Sequence, residues 1–209
     1  MRFIVCNEFA GNDKRGTADM KKRFCAILAV WVLALLLSCP VFAKGRTVRS
    51  SDGRFEVDVP KKWSDMSGKL DPSGGTDQFY MIEAGSDKSQ AYIVFKEEDL
   101  DRVVLKTFDD YFNALSSGIA ASPLLTDVRL SSSEDQILDG CGMLCRKCTF
   151  SATWQPDDGK APAGIAGWIY AVQGGEGTCY QFFGWTKSGN ALDMGPVFDS
   201  IVHSFRILA

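Results

Sequence analysis

The chain has 209 residues, of which 45% are hydrophobic and 23% are charged, so it is long enough to bury a core of ordinary size. Its 26 Asp and Glu residues outnumber its 23 Lys and Arg residues, which gives a net charge of −3. This balance argues against a basic surface of the kind that binds nucleic acid or an anionic membrane.

The N-terminal region has the pattern of a leader rather than of a folded domain. Three basic residues follow Met20, an apolar run covers residues 24–37, and Ala43 ends a short segment that suits signal peptidase. We therefore predict a signal peptide over 20–43 and a periplasmic or secreted protein. Residues 1–19 are polar and precede the basic segment, so they are predicted to be a non-native or disordered extension.

Two alternatives to cleavage after Ala43 would attach the exported protein to a membrane. The sequence Leu-Leu-Ser-Cys over residues 36–39 resembles a lipobox, which would make Cys39 a lipid-anchored N-terminus. An uncleaved anchor helix is disfavoured, because the apolar run is shorter than the roughly 20 residues that a bilayer span requires. Cleavage after Ala43 leaves a single predicted domain over 44–209, with 17 basic and 23 acidic residues and a net charge of −6.

The predicted domain begins with a hairpin. Residues 47–51 and 55–59 form its strands, and the second strand alternates apolar and acidic residues, which predicts one face in water. Pro60 ends this strand. Trp63 follows three residues later, a position at which a Trp usually fills space under a sheet.

Two more strands and a helix follow. Residues 78–84 and 91–95 are predicted strands, and the acidic segment 97–101 is predicted to be a solvated loop. A helix is predicted over 107–121, with Thr107 as its N-cap and acidic residues in its first turn. Its apolar stripe comprises Phe108, Tyr111, Phe112, Leu115 and Ile119.

The second half centres on an aromatic hairpin, 165–172 and 179–186, joined by a glycine-rich turn. Both faces of its first strand are apolar, which predicts a central position in a sheet covered above and below. Residues 125–138 are predicted to form an outer strand, and residues 140–153 another strand. A helix over 191–205 closes the chain, with a predicted buried stripe of Leu192, Val197, Phe198, Ile201, Val202 and Phe205.

The order of elements predicts an α+β fold, an α/β/α sandwich with a mostly antiparallel central sheet and two covering helices. The Phe-x-Val-x-Val-Pro-x-x-Trp segment at 55–63, the Phe-x-x-Tyr-Phe helix, the strand that starts at Gly140, the aromatic hairpin and the closing Ser204-Phe205 resemble the PsbP-like superfamily. That superfamily includes the extrinsic P subunit of photosystem II, a Ran-binding nuclear transport factor and small exported bacterial proteins. The resemblance covers 47–207 and implies partner binding rather than catalysis, with no shared catalytic residues.

Four cysteines follow the leader: Cys141, Cys145, Cys148 and Cys179. Export favours one or two disulfides among them, and the residue spacing leaves the pairing open. If their strands form a meander, Cys145 and Cys179 lie about 9–10 Å apart, beyond the reach of a disulfide. A four-cysteine zinc site and a redox pair at Cys145 and Cys148 remain alternatives, although a redox Cys-x-x-Cys usually opens a helix.

Other catalytic signatures are weak. The only histidine, His203, falls on the predicted wet side of the last helix, and the sequence has no Gly-x-Ser-x-Gly nucleophile motif. The glycine-rich turn at 174–177 lacks the Lys and Ser or Thr of a phosphate-binding loop. We therefore expect no enzyme activity, no cofactor and no resident metal.

Three functions remain. The first is an accessory module that binds another envelope protein through a sheet edge or an exposed part of the set Trp63, Trp154 and Trp168. The second is a small-molecule or metal carrier whose pocket, between sheet and helix, is lined by Tyr80, Tyr170 and Tyr180. The third is a thiol-disulfide enzyme that uses Cys145 and Cys148.

Overall fold

The structure is a computed structural model that describes residues 45–66, 82–101, 104–156, 160–175 and 177–208. The predictions for 1–43, for a lipid anchor at Cys39 and for Tyr80 lie outside these residues. The described elements are β1 (Arg46–Arg49), β2 (Phe55–Val59), β3 (Ser64–Asp65), β4 (Ile82–Ser86), β5 (Ala91–Asp99), α1 (Phe108–Ala120), β6 (Leu125–Leu130), β7 (Glu134–Ile137), β8 (Leu144–Trp154), β9 (Ala163–Gln173), β10 (Thr178–Lys187), α2 (Ala191–His203) and β11 (Arg206–Ile207).

The larger sheet has the strand order β3-β4-β5-β10-β9-β8-β6, and β7 also pairs with β8. The paired strands are antiparallel, and the predicted aromatic hairpin, β9 and β10, lies in the middle. A second sheet, β1-β2-β11, is smaller. With the two helices, this arrangement confirms the predicted α+β sandwich.

The two faces of β9 contribute to two separate cores, as its sequence predicts. Trp168, Tyr170 and Val172 join one core, and Ile169 and Ala171 join the other. We call the first the α2 face, because Phe198, Ile201 and Val202 of α2 pack there. The second is the α1 face, where Phe108, Tyr111 and Phe112 pack.

Helix α1 matches its prediction closely. The Oγ1 atom of Thr107 accepts a hydrogen bond of 3.0 Å from the backbone N–H of Asp110, which is the contact of an N-cap. Phe108, Tyr111 and Phe112 are buried, and Leu115 and Ile119 are partly buried against the same core.

Two local predictions are wrong. The acidic segment from Glu97 to Asp99 continues β5 and pairs with β10. Its charges are accommodated by ion pairs, such as Arg54 with Glu97 at 3.3 Å. Leu192 is 93% exposed and does not belong to the buried stripe of α2, because helical periodicity places it on a different side of the helix from Phe198 and Ile201.

The small sheet adds a covering layer that the sequence did not suggest. Phe55 of β2 contacts the rings of Phe95, Tyr180 and Phe205, with centroids 5.2–6.0 Å apart. The α2 face is therefore covered by α2 together with the small sheet, whereas α1 is the helix that covers the α1 face. Within the described parts of the chain, neither helix is long and apolar enough to cross a bilayer.

Candidate binding cleft

Helix α1 covers only part of its face of the sheet, and a cleft of about 730 Å³ opens beside its C-terminal half. Strands β5, β8, β9 and β10 form the floor, and α1 forms one wall. This volume lies in the range of about 300–1,000 Å³ that is usual for small-molecule sites. Most of the described residues that line the cleft are apolar.

Four aromatic rings form a continuous row on the α1 face. Phe150 stacks on Phe183 with ring centroids 5.7 Å apart, and Phe183 lies 5.3 Å from Trp185. Trp185 in turn lies 5.6 Å from Tyr92 across the ladder between β10 and β5. Phe183, Trp185 and Tyr92 are only partly buried and line the cleft, so they offer an aromatic surface to a ligand.

The opening follows from the side chains that α1 presents. The N-terminal half of the helix carries Phe108, Tyr111 and Phe112, which fill the space over the sheet. The C-terminal half presents Ala114 and Gly118 to the cleft, four residues apart and therefore on one side of the helix. A Cβ atom at Gly118 would lie more than 4 Å from every atom beyond its chain neighbours and the nearby backbone of its own helix, so α1 leaves room there.

The open end of the cleft is polar. Lys187 follows Trp185 on the same face of β10, and its side chain is exposed. Gln90 also lines this end, whereas Gln181 lies six residues before Lys187 on β10 and lines the cleft on the other side of Phe183 and Trp185. The hydroxyl of Tyr92 donates a hydrogen bond of 2.9 Å to Asp87; burial, with this bond, raises the pKa of Tyr92 to about 12, so its phenol is neutral at neutral pH.

Of the three tryptophans proposed to bind a partner, two lie in the core. Trp63 is 5% exposed and contacts Phe198, and Trp168 is 6% exposed. Neither can touch a partner while the domain is folded, and the interpretation of Trp63 as a residue that fills space is confirmed. Trp154 is 39% exposed and lines the cleft, so it is the one member of the set with surface to offer.

The proposed pocket of tyrosines is corrected. Tyr170 and Tyr180 are buried on the α2 face, where they belong to a filled core, whereas the cleft lies on the α1 face. Tyr92 is the tyrosine that lines the cleft. The sequence contained an indication of this surface. Phe183, Trp185 and Lys187 alternate along β10 and therefore lie on one face of the sheet, and the half of α1 that faces them carries small residues.

The four cysteines are free thiols in this structure, so the predicted disulfides are not confirmed. Cys145 and Cys148 lie three residues apart in one strand, so they point to opposite faces, Cys145 into the α2 core and Cys148 into the α1 core. They cannot join in a disulfide without breaking the strand. This geometry removes the basis of the thiol-disulfide hypothesis.

The strand registers also separate Cys179 from Cys145 and from Cys148. Cys179 lies two strands away from Cys145 and faces the other core. It shares the α1 face with Cys148, but four residues of strand separate their registers, which is roughly 13 Å along the strand alone. Burial raises the pKa of Cys145 to about 12 and that of Cys179 to about 11, so both remain protonated at neutral pH.

A partly buried polar network lies on the α2 face. Asp199 accepts a hydrogen bond of 2.9 Å from the hydroxyl of Tyr170 and lies 2.7 Å from the ammonium of Lys147.

His203, predicted to be exposed, is about one-third exposed and lies 3.4 Å from Asp139, without the orientation of a hydrogen bond. No group of acidic, His and Cys side chains within the described ranges could hold a metal ion.

Comparison with protein-family profiles gives no match, and comparison with curated protein sequences gives none of significance. Solved structures do match. The cyanobacterial PsbP of Synechocystis sp. PCC 6803 aligns over 82% of this chain and 96% of its own, with 13% identity and a TM-score of 0.53. The Ran-binding protein Mog1p of Saccharomyces cerevisiae aligns over 78% of this chain and 95% of its own, with 8% identity and a TM-score of 0.52. The chain therefore shares the α+β sandwich fold of these two solved structures.

Proposed function

We propose that this protein is an exported, non-enzymatic binding protein that holds an apolar ligand in the cleft between α1 and the sheet. The observation that carries the proposal is the cleft of about 730 Å³ with its aromatic floor. Burial of a ligand against partly exposed aromatic rings removes apolar surface from water on both sides, which is the main source of affinity in such sites.

The cleft lining favours binding over catalysis. Lys187 and Tyr92 are the ionisable side chains among its described residues, and the phenol of Tyr92 is neutral at neutral pH. The lining therefore offers no nucleophile beside a general base, the arrangement that covalent catalysis uses. The fold also carries binding in another protein, since one of the matched structures is a Ran-binding protein.

Export is supported by the predicted signal peptide over 20–43. An extracytoplasmic binding protein with a net negative domain and an apolar cleft fits a role as an envelope carrier or accessory protein. Mass spectrometry of the N-terminus of the protein recovered from cells would distinguish cleavage after Ala43 from lipidation of Cys39.

The binding proposal is tested with a neutral fluorophore, N-phenyl-1-naphthylamine, added to the purified full-length protein. Its emission should rise and saturate as it enters the apolar cleft. Gly118→Leu should reduce the rise, because Gly118 lines the cleft and a larger side chain there would take up part of its volume. Replacement of Gly in a helix should also keep the fold stable.

Ser117→Leu is the matched control. Ser117 is the exposed neighbour of Gly118 on α1 and does not line the cleft. The control should bind the fluorophore as the unaltered protein does. No saturable emission in the unaltered protein, or equal binding by Gly118→Leu and Ser117→Leu, would overturn the assignment of the cleft.

A second function, binding of another protein, is favoured by Trp154 alone. This side chain is 39% exposed at the cleft, on a strand near the edge of the larger sheet. A partner could insert one apolar side chain beside it. Pull-down from envelope extract tests this idea: equal recovery of partners by the unaltered protein and by Trp154→Ala would remove Trp154 from any interface.

A further inference from the structure

We infer that the ligand of the cleft is an amphiphile with a single anionic head group, whose apolar tail lies on the aromatic floor and whose head meets Lys187. This inference rests on the proposed function and specifies the chemistry of the ligand. It follows from the way charge and apolar surface are separated along the cleft.

The separation is set by the parity of β10. Phe183, Trp185 and Lys187 occupy every second position of β10 and therefore lie on one face, so the aromatic surface of the cleft ends at the ammonium of Lys187. Lys187 pairs with Ile165 of β9, which also lines the cleft. On its other side, Gln90 directly precedes Ala91, the partner of Thr186, so an amide lies at the same end.

The charge of Lys187 is available to a ligand. Lys187 forms no ion pair with another residue of the described ranges, whereas Lys147 on the opposite face lies within 3.5 Å of two carboxylates. An ammonium at the mouth of an apolar cleft can remain hydrated when the site is empty and can bind a carboxylate or phosphate when it is filled.

Two groups oppose an anion at this end. Asp87 carries a negative charge in the neighbouring turn and keeps it while it accepts the hydroxyl of Tyr92, but Asp87, unlike Lys187, does not line the cleft. Helix α1 ends at Ala120 beside the cleft, and a helix C-terminus carries about half a negative charge. The full charge of Lys187 exceeds that of the helix end, and Lys187 is the one cation among the described lining residues, so the anionic head is preferred.

The test uses four ligands with the same twelve-carbon chain, each below the concentration at which it self-associates: dodecanoate, dodecyl phosphate, dodecanol and dodecyltrimethylammonium. Each displaces N-phenyl-1-naphthylamine from the full-length protein. We expect both anions to bind about tenfold more tightly than the alcohol, and the cation to bind most weakly. A preference for dodecyl phosphate over dodecanoate would identify a phosphate head group, and the reverse a carboxylate.

Lys187→Met should reduce the affinity for both anions about tenfold and leave that for dodecanol unchanged, and Lys187→Glu should favour the cation. Lys61→Met, a change of an exposed lysine after β2, is the control and should have no effect. Equal binding of dodecanoate and dodecanol, or no effect of Lys187→Met on the anions, overturns this inference and leaves the proposed function standing. Failure of all four ligands to displace the fluorophore overturns the inference, and failure of the fluorophore itself to bind overturns the proposed function.

Discussion

At the scale of single residues, Gly167 shows how closely the α1 core is packed. A Cβ atom at this position of β9 would lie 2.0 Å from Cε1 of Phe150, which is buried and stacks on Phe183. Glycine inside a strand costs conformational entropy, but here it allows the ring of the neighbouring strand to lie against the backbone. The aromatic row that forms the floor of the cleft begins at this contact.

Gly167→Ala should therefore lower the free energy of unfolding by about 1–3 kcal/mol, because the ring of Phe150 must shift in a filled core. Gly189→Ala is the control, since a Cβ there meets nothing within 4 Å. Urea denaturation measures both. If the two variants lose the same stability, the packing of the Phe150 ring does not require a glycine at position 167.

Arg146 is a second residue with several roles. It bonds to Asp135 of β7 at 2.6 and 2.9 Å, pairs with Asp109 of α1, and lies over the rings of Phe108 and Phe112 at 5.4 and 5.7 Å. One side chain therefore ties the start of α1 to the edge of the sheet. The hydrogen bonds from Arg146 hold the pKa of Asp135 below its usual value.

Arg146→Met should cost about 1–2 kcal/mol at pH 7, since the ion pairs are partly exposed. A carboxylate with a lowered pKa stabilises the fold above its unfolded pKa of about 3.9, and this contribution disappears as the pH falls through the folded value. The difference between the unaltered protein and Arg146→Met should thus shrink below about pH 4. Urea denaturation from pH 7 to pH 3 tests this, with Arg129→Met on β6 as control; a pH-independent difference would show that packing alone is lost.

At the scale of elements, some segments could be predicted from the sequence and others could not. Helix α1 has an N-cap at Thr107 and an apolar stripe, so local signals define it. Strand β9 is apolar on both faces, so its central position follows. The acidic sequence at the end of β5 is typical of a loop, and this segment is a strand because it pairs with β10. The parity of β10 indicates an aromatic face, but the position of the cleft could not be predicted, because it depends on where α1 lies over the sheet.

The burial of the four cysteines predicts which thiols react in the native protein. Cys145, Cys148 and Cys179 are at most 3% exposed, whereas Cys141 is only partly buried. Burial also raises the pKa of Cys145 and Cys179, and the neutral thiol is a poor nucleophile. Iodoacetamide should therefore label Cys141 in the native protein and spare the other three, and all four should react in urea.

Peptide mass spectrometry measures this labelling residue by residue, with and without prior reduction. The unreduced sample is the control for disulfides. A disulfide-linked peptide that joins Cys145 to Cys148 or to Cys179 would contradict the strand register, because each pair lies on opposite faces of the sheet.

At the scale of the whole domain, the two faces of the larger sheet are closed to different degrees. The α2 face is covered by α2 and by the small sheet, and its core includes 21 buried residues. The α1 face has one helix and leaves the cleft open. A domain of this design can keep its stability on one face and bind on the other, so changes that fill the cleft need not unfold it.

The small sheet depends on its last strand, β11. Arg206 lies 3.0 Å from Glu56 and 3.1 Å from Asp58 of β2, and the backbone N–H of Leu208 donates a 2.7 Å hydrogen bond to the carbonyl of Arg54. The ion pairs are partly exposed and should contribute at most about 1 kcal/mol each. The backbone bonds and the cover over Phe55 should contribute more, at about 0.5–1.5 kcal/mol for each hydrogen bond.

Two nested variants separate these contributions. Arg206→Ala removes the ion pairs and keeps the strand, so it should lower the free energy of unfolding by about 1 kcal/mol. Deletion of residues 206–209 removes the strand as well and should cost roughly 2–4 kcal/mol, since the edge of β2 loses its backbone partners. Urea denaturation of both variants measures the difference. Equal losses would mean that the salt bridges, and not the backbone pairing of β11, close the α2 face, and ligand binding on the opposite face should survive either change.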